Sequence, residues 1–150
     1  MTPVEAALAE LHRAMREFHA LLEREATVLQ AGQTEALALI VAEKSHWSEA
    51  ANTAWNRLMV ASGIDPRRGE SLDAVLSAQP ALRDTWLDVR RLAEHADKLN
   101  HGNNLLIEAQ MERTRQALQV LQTAAHRGAL YDASGRIVDG FKAGHTLDKV

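Results

Sequence analysis

Apolar residues return at alternating steps of four and three along most of this chain, the spacing that lines one face of an α-helix. From Val4 the series runs through Leu8, Leu11, Met15, Phe18 and Leu22 and, skipping Glu25, reaches Leu29. This is the seam of a helix that lies along a partner helix. Ahead of it stand Thr2, Pro3 and Glu5, a hydroxyl for the N-cap, a proline for the first turn and a carboxylate at the capping-box position. Gly32 follows as an unhindered C-cap residue, so a first helix is predicted over about 3–31. A second, over about 34–62, takes Thr34 as its N-cap and presents Leu37, Ile40, Val41, Trp47, Ala51, Ala54, Trp55 and Leu58 before stopping at Ser62 and Gly63. The link between the two is so short that they must run antiparallel and side by side. Both tryptophans of the second helix are expected to pack in the core, each indole N–H finding an acceptor.

Gly63, Asp65, Pro66, Arg67, Arg68 and Gly69 mark a loop with solvated charges, Ser71 caps a short helical turn over 72–78, and Pro80 opens a third helix. That helix is predicted over 80–127. Its stripe is Leu82, Val89, Leu92, Ala96, Leu99, Leu106, Ala117, Val120 and Ala124, with Trp86, Ile107 and Leu121 beside it. Amides interrupt the stripe at Asn100, Asn103, Asn104 and Gln110. A buried amide without partners costs about 1 to 3 kcal/mol, so such residues specify a neighbour more than they add stability. At about 1.5 Å per residue the first two helices are each about 40 Å long and the third nearly 70 Å, so a helical hairpin leaves part of the third stripe uncovered. An uncovered stripe implies a partner chain, a second copy giving a homodimer, or a folded-back tail.

The expected fold is all-α: an antiparallel helical hairpin packed on one long C-terminal helix, a three-helix, coiled-coil-like bundle over 1–128, with a flexible tail over 129–150. Leu130 and Tyr131 lead into the turn residues Asp132, Ala133, Ser134 and Gly135, and the tail holds Ile137, Val138, Phe141 and Leu147 among glycines and charges. It has too little apolar content to fold alone.

Composition narrows the function. Hydrophobic residues make up 46% of 150, ample for one core, and aromatic residues only 4%, which favours helices over strands. Cysteine is absent, which excludes disulfides and thiol catalysis and suits a reducing compartment. A net charge of −3 with interleaved signs offers no basic face to nucleic acid or an anionic membrane. Without a signal-peptide pattern or an apolar run near the roughly 18 residues that span a bilayer, a cytoplasmic protein is expected.

Candidate catalytic groups are few. There are seven histidines, but His12 and His19 lie two helical turns apart, too far to share a metal, and no paired histidines flank a glutamate in the zinc-protease spacing. Both are expected to be solvated, and no metal or cofactor is expected. His95 with Lys98 is similar to the phosphorylated helix of histidine phosphotransfer domains, the one enzyme-like alternative. Those domains usually place glycine directly after the lysine, where this chain has Leu99 of the seam. Gly135, Gly140 and Gly144 follow no strand and form no phosphate loop, and nothing singles out a serine or carboxylate dyad.

Three segments stand out in order along the chain: Ala31, Gly32, Gln33 and the leucine-rich turn that leads to Glu43 and Lys44; the asparagine-rich Leu99, Asn100, Asn103, Asn104, Leu106 and Ile107; and Thr114, Ala117, Leu118 and Leu121, then Leu130, Tyr131, Asp132 and Gly135. Together they resemble the FlgN family of bacterial flagellar export chaperones, whose leucine-rich segment, asparagine-rich signature and end they match in order, with Asn104 where glycine is usual. The resemblance implies a non-enzymatic cytoplasmic chaperone that holds the hook-filament junction proteins before export through the flagellar type III apparatus and prevents their premature polymerisation. It also implies a client site towards the C-terminal part. The expected contacts are Ile107, Leu118, Leu121, Leu130, Tyr131, Ile137, Val138 and Phe141, with Asn100, Asn103 and Asn104 fixing register. A helical adaptor of another assembly would use the same stripe.

Overall fold

The structure, a computed structural model, describes residues 1–129, with side-chain surroundings described to Arg127. Leu130, Tyr131, Ile137, Val138 and Phe141 lie outside the described residues. The described chain is all-α: α1 (Pro3–Ala31), α2 (Leu37–Ser62), the short α3 (Leu72–Ser77) and α4 (Pro80–Ala129), with 3₁₀ turns at Thr34–Ala36 and Pro66–Arg68.

The capping box closes at the start of α1. The Thr2 hydroxyl accepts from the Glu5 N–H at 3.1 Å, and the Glu5 carboxylate accepts from the Thr2 N–H at 2.7 Å. At the other end Gly32 turns left-handed at φ 70°, so that its N–H reaches Leu29 O and the next N–H, of Gln33, reaches Val28 O. Paired bonds of that kind satisfy the last carbonyls of a helix. Thr34 departs from expectation. It opens a 3₁₀ turn with no side-chain cap, and the α-helix begins three residues later at Leu37.

α1 and α2 are antiparallel, since their ion pairs move in opposite directions along the two helices: Glu10 with Arg57, Arg24 with Glu43, Glu25 with Lys44. α1 and α4 are parallel. His12 meets Asp88 and His19 meets His95, each pair 76 residues apart. Further along, Asn103 of α4 bonds to Leu22 and Glu25 of α1, 81 and 78 residues apart. One turn beyond Asn103, at Ile107, the chain divides into two compact units, Met1–Ile107 and a second that begins at Glu108.

In the first unit, Ala7, Leu8 and Leu11 of α1, Ala54 and Leu58 of α2, Leu72 and Leu76 of α3, and Leu82, Trp86 and Val89 of α4 form one core cluster. α3 closes this end of the bundle and is tied down by polar bonds. The Trp86 indole N–H donates to Asp73 at 2.8 Å, Arg90 donates to the same oxygen, and Arg83 donates to Ser77 O.

The tryptophan expectation is corrected. Trp86 is the core indole; Trp55 stacks on it at 6.4 Å but stays 41% exposed, and Trp47 is half-buried under the Arg13 guanidinium. The reason is register. The steady seam of α2 is Leu37, Ile40, Lys44, Trp47, Ala51, Ala54 and Leu58, and Val41 and Trp55 lie one residue off it. Each step of one residue turns a side chain by about 100° around the helix, enough to carry it towards solvent. Val41 is accordingly exposed.

Candidate functional site

Lys44 on the seam of α2 is the key to the polar positions elsewhere. At the same level the α1 seam carries Glu25, buried at 1% exposure, and the α4 seam carries Asn103, buried at 2%. The Lys44 ammonium donates to both Glu25 oxygens at 3.2 Å and to Asn100 Oδ1 at 3.1 Å, which uses all three of its donors. The Asn103 amide donates to Glu25 Oε1 at 2.9 Å and to Leu22 O at 3.0 Å. This layer crosses all three long helices of the first unit. Among the described residues no buried side-chain polar atom is left without a partner. A one-turn slip of any helix would strand a charge or an amide, so the layer locks register.

Two of the predicted amides, Asn100 and Asn103, are thus committed within the first unit, whereas Asn104 is exposed and Ile107 half-buried at the unit's edge. Leu118 and Leu121 lie in the second unit, 52% and 64% exposed. The predicted site residues therefore fall into two groups. The second group belongs to a longer apolar face. Met111, Leu118 and Leu121 share one side of α4 by helical spacing with Ala117 and Ala125, and Met111 is 67% exposed. On the opposite side Glu112 accepts from Arg115 and Gln116, and Val120, 68% exposed, lies beside Gln116. Every described residue from Met111 to Arg127 is exposed. Sequence reasoning left out Met111 and the exposed Leu105, although both are large apolar side chains, Leu105 inside the asparagine-rich segment and Met111 four residues beyond its end at Ile107.

The expectation of solvated histidines is overturned for His12 and His19. His12 Nε2 lies 2.7 Å from Asp88 Oδ2, and Asp88 also takes two bonds from Arg91. The hydrogen bond from His12, then those from Arg91, hold the Asp88 carboxyl below its ordinary value. His19 Nε2 lies 2.6 Å from His95 Nδ1, so the candidate phosphoryl acceptor already shares that nitrogen with a second imidazole. These contacts join helices that are distant in sequence, and the parallel pairing of α1 with α4 is what creates them.

Among the described residues no helix is long and apolar enough to cross a membrane. Comparison with known proteins adds the following. The FlgN protein family matches residues 1–138, through both units as far as Val138. The flagella synthesis protein FlgN of Salmonella typhimurium (strain LT2) is 25% identical over 149 residues, which covers 98% of this chain and 99% of that protein. The protein of the same name from Salmonella typhi is 25% identical over the same 149 residues. No solved structure matches the chain at a significant level. With its match running from Met1 across the polar layer and the exposed face of α4, the chain belongs to the FlgN family.

Proposed function

We propose that this chain is a cytoplasmic chaperone of flagellum assembly, which holds the hook-filament junction proteins by their terminal helices and keeps them from polymerising until the export apparatus receives them. The observation that carries the reading is the exposed apolar face of α4, with Met111 at 67%, Leu118 at 52% and Leu121 at 64% exposure. Large apolar side chains gathered on one helical face and left in water favour a partner that covers them. An amphipathic client helix is such a partner, laying its own apolar stripe along the face at steps of three and four.

Membership of the FlgN family and relatives named flagella synthesis proteins support the flagellar setting. In this reading Ile107, Leu118 and Leu121 meet the client, Asn104 offers it an exposed amide, and Asn100 and Asn103 fix the register of α4. Leu130, Tyr131, Ile137, Val138 and Phe141 are further client contacts in this reading. Function is binding and release, with no bond made or broken. Ordering a chain segment on binding costs free energy and keeps affinity modest, which suits a client that must be handed on.

The test is size-exclusion chromatography with light scattering, using the purified chain and each purified hook-filament junction protein, beside a truncation ending at Gly128. The expected result is a complex of defined stoichiometry that weakens on truncation. Absence of a complex with every junction protein tried would sink the reading.

A further inference from the structure

We propose that His19, Glu23 and His95 form a binding site for one divalent transition-metal ion of the zinc class, which pins α1 to α4 within the first unit. His19 and Glu23 are four residues apart on α1 and therefore share a face. The parallel pairing of α1 with α4 sets His95 level with His19.

Three potential ligand atoms converge there. His19 Nε2 lies 2.6 Å from His95 Nδ1 and 3.8 Å from Glu23 Oε1, and the ligand atoms of the three residues all lie within 4.8 Å of one another. Two neutral imidazole nitrogens meet only if one carries a proton and the other a lone pair. A metal ion replaces that shared proton and takes a lone pair from each ring. Tetrahedral coordination at about 2.1 Å separates two ligand nitrogens by about 3.4 Å, so the rings need to part by under about 1 Å. The exposed Glu23 swings in with little resistance, its carboxylate being 58% exposed. The His19 side chain is 13% exposed and held between helices, which fixes one ligand in advance.

Two imidazoles and one carboxylate suit zinc and its neighbours better than magnesium or calcium, which prefer oxygen alone. The open side leaves a fourth position for water. Of the cationic neighbours on α4, Arg91 is turned to Asp88, and Lys98 lines the groove beside His95. Glu23 supplies the negative charge of the ligand set.

The test uses the untagged full chain, titrated with zinc against a chromophoric chelator and, separately, with cobalt(II), whose visible absorption reports nitrogen and oxygen coordination. The variants are His95→Gln and Glu23→Gln, both at exposed positions, with His46→Gln and His101→Gln as controls. One equivalent should bind, with an affinity that falls by at least about 100-fold in His95→Gln and about 10-fold in Glu23→Gln, since loss of mere outer-shell partners of a metal already costs about 10- to 100-fold. The controls should match the parent chain, and circular dichroism should be unchanged throughout. Zinc should raise the thermal midpoint of the parent chain and not of His95→Gln. Failure to bind zinc, or binding that survives intact in His95→Gln, would overturn the site.

Discussion

Glu25 occupies a position on the α1 seam flanked by Leu22 and Leu29, and only the polar layer makes its charge tolerable there. Replacing it with alanine takes from the Lys44 ammonium two of its three acceptors and its counter-charge, leaving Asn100 Oδ1, and takes from the Asn103 amide one of its two, leaving Leu22 O. Removing one member of a buried ion pair costs about 3 to 5 kcal/mol. The lower end applies here, because the Lys44 side chain retains 20% exposure and can turn to water. Glu25→Ala should therefore lose about 3 kcal/mol in urea unfolding. The triple variant Glu25→Leu, Lys44→Leu, Asn103→Leu should recover most of that loss, since a packed apolar layer is often as stable as a buried ion pair. A single variant within about 0.5 kcal/mol of the parent would contradict the layer. The interruption at Glu25 was visible in the sequence, and so were the asparagines. Their partners were not, because the bonds span 19 residues to Lys44 and 78 to Asn103, and periodicity reports which face a residue occupies rather than what lies opposite.

At the level of helices, the join between α3 and α4 rests on Asp73. The hydrogen bond from the Trp86 indole and the nearby Arg90 hold its carboxyl below the ordinary 3.8, as His12 and Arg91 do for Asp88. A carboxyl depressed in the folded chain adds stability that is present above its ordinary value and lost as pH falls through the lower folded value. Stability should thus decline as pH falls below about 4, and the double variant Asp73→Asn, Asp88→Asn should show a shallower acid decline in pH-resolved urea unfolding. Equal slopes would mean that these two carboxyls do not govern the acid limb. Helix α1 was legible to its caps, because the capping box and the glycine act locally through backbone N–H and C=O groups. Helix α2 was less so. Its apolar residues spread over two neighbouring tracks, and the polar Lys44 on the true track hid which of them was buried.

For the chain as a whole, α1 ends at Ala31, and the first unit ends at Ile107 of α4, one turn past the polar layer at Asn103. Amide protection should follow that division. In native-state hydrogen exchange the amides from Leu82 to Asn103 should be the slower, and those from Met111 to Arg127 should exchange through local fraying, with no buried side chain to hold them. Uniform protection along α4 would contradict the division. Helix lengths alone had already implied an uncovered stripe, and the asparagine-rich segment pointed to the family. What length could not tell was where covering stops, because that depends on the parallel offset between α1 and α4.

Calorimetric titration of a hook-filament junction protein into the parent chain and into the variant Leu118→Asp, Leu121→Asp puts the exposed face itself on trial. Both positions are solvent-exposed, so unfolding stability should stay within about 0.5 kcal/mol of the parent. Loss of two apolar contacts at an interface, each worth about 1.5 kcal/mol or more, should weaken binding by about 100-fold. Unchanged affinity in the variant would show that the client is held elsewhere and would remove the exposed face of α4 from the account.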